Sequence, residues 1–158
     1  MTSRIEHTSR YMIAAVAFLA FSATSLGNEA MSPDVRVELT SQNPPALHVT
    51  VRSGAEARTT FFKWRLPWGN RNTMILVALT SDRTYITRNI PIDDPSTERV
   101  SMEPKESLSG DVSLDKAFTG FGAALKKSDV HLFWAYEAPK ELHIARWSGG
   151  WLLIPQQK

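Results

Sequence analysis

Outside the first ten residues, the side chains best suited to hold a metal or pass a proton are His48, His131 and His143. Each stands in a stretch where apolar and polar residues alternate, and no two are spaced as a chelating pair on one strand or helix. The spacing predicts solvated or hydrogen-bonded strand histidines and no metal site. Asp93 and Asp94, with Glu98 nearby, could offer oxygens to calcium, but no Asp-x-Asp-x-Asp-Gly loop is present. Two adjacent acids in a proline-containing loop are more simply turn residues. No Gly-x-Ser-x-Gly occurs, and no Ser-x-x-Lys stands in a usable context. Gly120-Phe121-Gly122 lacks the third glycine of a dinucleotide loop. Lys63, Arg65 and Arg71 lie near aromatics, yet basic residues at alternate strand positions are a solvated face more often than a nucleic-acid groove. The expectation is no catalytic residue, no metal, no cofactor and no nucleic acid.

Binding chemistry is better represented. Four of the fifteen aromatics fall within residues 61–70. Phe62, Trp64 and Leu66 share one strand parity and are expected in the core, as are Trp134 and Trp147, with Phe61, Lys63 and Arg65 on the other side. Trp68 sits between Pro67 and Gly69 at a turn. There it either folds back over the end of the domain or stands exposed beside Arg71 as an interface anchor. Trp151, after Gly149-Gly150, poses the same choice. Pro67, Trp68, Arg71 and Trp151 are therefore the candidate binding residues, with the loop at 91–96 beside them.

These residues need a scaffold, and composition bounds it. The chain has 158 residues, 42% hydrophobic and 22% charged, which fits one globular domain. Its first 27 residues run from a polar segment with Arg4 and Arg10, through an apolar run at 11–21, to small residues at 22–27. That order predicts a secretory signal peptide at 1–27, cleaved after Ala23 or Gly27. The run is too short to span a bilayer unless 23–26 extend it as an uncleaved anchor. A β-sandwich domain at 34–158 is then expected in the periplasm or outside the cell, without stable membrane insertion. The formal net charge of +2 shrinks once the leader is removed, so no basic face is implied. The absence of cysteine excludes disulfides, thiolate metal sites, a cysteine nucleophile and a lipid-anchored cysteine, and leaves the core alone to hold the domain.

The remaining pattern is β throughout. Residues 35–39 and 47–52 alternate with period two. The continuous apolar run at 74–79 predicts a strand covered on both faces, and the two fairly apolar parities of 130–136 predict a central strand. Ser81-Asp82-Arg83 marks a hairpin to 85–87, and Pro104 a turn between strands at 99–102 and 108–114, with a bulge expected at Gly110. Residues 114–125 suggest a short helical connection. Ser148-Gly149-Gly150 reads as the turn of a hairpin joining 142–147 to 151–154. The expected fold is an all-β, immunoglobulin-like sandwich of about nine strands with at most one short helical connection.

The order of Val51-Arg52-Ser53-Gly54, Phe62 through Pro67, the 74–86 hairpin, Met102-Glu103-Pro104-Lys105-Glu106-Ser107-Leu108 and Val112-Ser113-Leu114 is similar to a known pattern. It resembles the immunoglobulin-like N-terminal or pro-domain of deuterolysin-type secreted zinc metalloendopeptidases, and small bacterial immunoglobulin-like inhibitors. The likeness runs from about residue 35 to 138. The family's Asp-Gly hairpin is Ser81-Asp82 here, and the sequence contains no His-Glu-x-x-His and no peptidase domain, so neither protease activity nor a zinc ligand is implied. The resemblance implies a free-standing sandwich that binds a partner. The expected role is an exported, non-enzymatic binding protein recognising a protein such as a secreted hydrolase, in an inhibitory, immunity or chaperone role. The alternatives are a carbohydrate- or ligand-binding accessory module, and a small periplasmic enzyme with dispersed catalytic residues.

Overall fold

The structure, a computed structural model, describes residues 34–40, 44–70, 72–90, 92 and 95–157. The leader at 1–27, Arg71, and Asp93 with Asp94 lie outside these residues. Nine strands form three antiparallel sheets among the described residues. One sheet has the order β1-β2-β7, from Val35–Leu39, Ala46–Arg52 and Ser107–Ser113. A short pair joins β3 (Thr59–Phe62) to β6 (Arg99–Met102). The third has the order β5-β4-β8-β9, from Tyr85–Ile86, Met74–Thr80, Val130–Glu137 and Trp147–Ile154.

Alternation builds the core. Val35, Leu47, Val49 and Val51 face inward from the first sheet, and Met74, Leu76, Ala78, Leu132, Trp134 and Tyr136 from the third. All belong to one buried cluster, as an all-β sandwich-like fold requires. Between β7 and β8 the connection holds two short helices, α1 (Leu114–Ala117) and α2 (Phe121–Leu125), separated at Gly120, whose φ is +73°. Leu114, Phe118, Phe121 and Leu125 from this connection close the cluster, with the Phe118 and Phe121 rings 5.6 Å apart.

The β4–β5 turn forms as its sequence predicts, with the Arg83 amide donating to the Thr80 carbonyl at 2.8 Å. At 103–106, Pro104 takes the first central position, Lys105 has φ +61°, and the Glu106 amide closes on the Glu103 carbonyl at 3.1 Å.

Four expectations are corrected. The aromatic strand stops at Phe62, because β6 pairs only four of its residues, and Lys63–Arg65 turn as a 3-10 helix. Phe61 is therefore the inward residue. Phe62 faces out with the Arg99 guanidinium 4.8 Å from its ring centre, Trp64 is half-buried, and Leu66 alone of the expected set is buried. There is no hairpin turn at Ser148-Gly149-Gly150. The β8 ladder runs unbroken from Glu137↔Trp147 to Val130↔Ile154, and residues 142–147 form no separate strand. The chain instead reverses earlier, through the 3-10 turn Lys140–Leu142 and His143, whose φ is +53°. No bulge occurs at Gly110, which pairs in register with Val49. Finally, β4 is covered on one face only, whereas β8 is the expected central strand, between β4 and β9.

The core is fastened to the 3-10 turn by one buried phenol. Tyr136 is fully buried, and its hydroxyl donates to the Arg65 carbonyl at 3.0 Å. Burial raises its pKa, and the Arg65 charge offsets this only in part. The folded state therefore holds this proton more tightly than the unfolded chain does. Stability from this group is complete below the free phenol's pKa of about 10 and falls as pH rises beyond it, by up to about 1.4 kcal/mol per pH unit. Tyr136→Phe should cost about 1–2 kcal/mol at neutral pH and remove that alkaline loss. Urea titrations between neutral pH and pH above about 10 test both.

Candidate functional site

The two larger sheets turn different outer faces to solvent. On β1-β2-β7 the outward residues are polar: Arg36 and Glu38 pair, and Thr50 and Ser109 share a hydrogen bond of 2.7 Å. Next to these, His48 Nδ1 meets Asp111 Oδ1 at 2.8 Å, with both side chains roughly half exposed. This is the histidine–acid pair a dispersed-site enzyme would use, yet it stands on an open sheet face and the adjacent Ser109 hydroxyl is engaged by Thr50 rather than by His48. His131 and His143 lie elsewhere, on β8 and after the 3-10 turn, so the three histidines do not converge. Among the described residues no group of three His, Asp or Glu side chains is placed to hold a metal. The chain's Ser-x-x-Lys, Ser113 to Lys116, is a helix cap: the serine hydroxyl oxygen accepts from the Lys116 amide at 3.4 Å.

The outer face of β5-β4-β8-β9 is apolar. Its side chains form rows across the sheet, fixed by register. Tyr85, Leu79, His131 and Leu153 make one row. Val77, Phe133 and Trp151 make the next, and Ile75, Ala135 and Gly149 the third. Glu137 and Trp147 close the far end. Tyr85 is 73% exposed, Trp147 52%, and Ile75, Val77, Phe133 and Leu153 between 38% and 49%. Within these rows no Asp, Glu, Lys or Arg intervenes; the nearest ion pair, Glu137 with Arg146 at 2.8 Å, stands at the margin. A hollow of about 620 Å³ opens at the other end, lined by Leu79, Arg83, Tyr85, His131 and Phe133. Contiguous exposed apolar surface of this kind is able to bury against another apolar surface.

The sequence-derived binding residues divide. Of the two placements open to Trp68, the structure has the one against the domain. Trp68 is half-buried beside the core, its ring lying where a side chain on Gly110 of β7 would be, with an ideal Cβ only 2.4 Å away. Pro67 is buried next to it. Trp151 is half-buried on the apolar outer face, opposite Phe133, its ring 6.2 Å from His131. Pro67 and Trp68 thus lie apart from the apolar face to which Trp151 belongs. Trp134 is buried as expected, but Trp147, expected in the core, is 52% exposed, because it falls on the same parity of β9 as Trp151 and Leu153 and so on the outer face. Periodicity puts His131, Phe133 and Ala135 on one parity without showing that it faces solvent, and it gives no role to Ile75, Val77, Tyr85 or Leu153.

Compared with known proteins, the chain matches no family model and no curated protein.

Proposed function

We propose that this protein is an exported, non-catalytic binding protein that holds a protein partner on the outer face of the β5-β4-β8-β9 sheet. One observation carries the reading: three successive rows of this sheet face hold no Asp, Glu, Lys or Arg and are uncovered by described residues, while the corresponding face of β1-β2-β7 carries the polar residues expected of a wetted surface. The leader-like residues 1–27 support export. Trp147 and Trp151 share a face of β9, about 13 Å apart by strand rise, which favours sugar stacking as a second reading. Sugar rings also need hydrogen-bonding side chains around the platform; Glu137 opposite Trp147 and His131 beside Trp151 flank the two indoles, but Phe133, Ala135 and Gly149 supply none between them. An apolar protein surface is the better match.

A photo-crosslinking residue at Val77, on the apolar face, should capture protein in cells, whereas the same residue at Thr50 on the polar face should not. Absence of a protein adduct from position 77, or equal capture from both positions, overturns the reading. Specific glycan retention lost in Trp147→Ala would replace it with the second.

A further inference from the structure

We infer that the protein partner of this face is a second copy of the same chain, an inference that rests on the reading above. The charge pattern points there first. Interfaces between different proteins rely on opposed charges for steering and selectivity, whereas homodimer interfaces are more apolar and poor in charge. The rows from Ile75 through Tyr85 hold no charged side chain to select a foreign partner, and Glu137 is already neutralised by Arg146 at the margin. Across the three rows a copy of the face meets no like charge in itself, and a formal net charge of +2 offers little repulsion between chains.

Shape points the same way. The most prominent indole, Trp147, stands at one end of the face and the 620 Å³ hollow at the other. A two-fold axis through the middle of the face, near Phe133, exchanges the two ends. Each Trp147 then enters the other copy's hollow, and the two contacts are identical, as an isologous interface demands. Arg83 at that hollow offers a guanidinium to the entering indole. The area also suffices. From the exposures of the aromatic and aliphatic residues, each copy contributes on the order of 600 Å². The total, roughly 1,200 Å², reaches the lower bound for specific interfaces.

Sedimentation equilibrium on protein purified from cells expressing the full-length chain tests this at roughly 1–100 μM, a range that spans ordinary dimer affinities. The expected mass is twice that of one chain. Phe133→Glu, which sets a carboxylate at the centre of the face, should weaken association roughly hundredfold or more. Trp147→Ala should weaken it roughly tenfold or more. Both positions are exposed, so circular dichroism should be unchanged; if Phe133→Glu fails to fold, Leu153→Lys on the same face replaces it. A single-chain mass across the range, or a dimer indifferent to these substitutions, overturns the inference. The position-77 crosslinker separates the two levels. An adduct of twice the chain mass supports both, an adduct with a different protein retains the binding role and removes the second copy, and no adduct removes both.

Discussion

Trp68→Ala is expected to destabilise the protein by about 2–4 kcal/mol, somewhat below the loss for a fully buried tryptophan because the ring is half-buried. The reason is its seat on Gly110. An ideal Cβ at that glycine would lie 2.4 to 2.6 Å from three atoms of the indole, so ring and glycine were chosen as a pair. Gly110→Ala should accordingly cost about 1–3 kcal/mol by overpacking. The decisive measurement is the double variant. With the ring gone, Gly110→Ala should change sign and stabilise by about 0.5–1 kcal/mol, since alanine loses less entropy than glycine in a strand. Urea unfolding of the four proteins at 25 °C closes the cycle. Additive effects would show that the two residues do not share one packing site. A tryptophan serving only as an exposed anchor would leave stability nearly unchanged, so the same experiment separates packing from recognition.

The larger loss is expected at Gly69. Its φ is not positive, so turn conformation alone does not demand glycine there. Close approach does: an ideal Cβ would lie 2.1 Å from the Lys63 carbonyl oxygen and 2.9 Å from both the Lys63 carbonyl carbon and the Trp64 Cα. All three are backbone atoms, and no rotamer change relieves them. The carbonyl is also held in place, since Lys63 accepts from the Leu66 amide at 3.0 Å while the Gly69 amide donates to Leu66 at 2.9 Å. Thr73 Oγ1 bonds the Trp64 carbonyl at 2.6 Å, and Tyr136 the Arg65 carbonyl at 3.0 Å, so the 3-10 turn has nowhere to retreat. Gly69→Ala should cost at least about 3 kcal/mol and lower the thermal midpoint by roughly 10 °C. Asn70→Ala, which removes only an exposed bond to the Asn72 amide, should cost less than about 1 kcal/mol and serves as the control. A Gly69→Ala midpoint within about 2 °C of wild type would show that the turn yields easily.

Strand existence was largely legible wherever a local rule governs it. The alternation at 35–39 and 47–52, the Ser81–Arg83 turn and the Pro104 turn follow from side-chain periodicity and turn chemistry. Phase was lost where the element changed type. At Lys63 the chain passes from a period of two to a period near three, so counting parity from Phe62 to Leu66 assigned the wrong phenylalanine to the core. Gly149-Gly150 looks like a turn in isolation, but eight consecutive pairings with β8 outweigh that preference. The Trp68–Gly110 contact joins two distant segments, and neither carries a local sign of the other. The candidate site was half visible for a similar reason. Apolar residues on both parities of 74–79 and 130–136 reveal two oily faces, yet only tertiary arrangement tells which one the domain itself covers.

The contrast between the two outer faces also makes the molecule an oriented amphiphile, with one wetted wall and one oily wall held rigidly back to back. Such a particle adsorbs to an apolar boundary in one pose rather than tumbling on it, and salts excluded from protein surfaces drive it there more strongly. On a phenyl matrix in ammonium sulfate, retention should follow Phe133, Trp147 and Leu153, while a neutral change such as Thr50→Ser on the wetted wall leaves it unmoved.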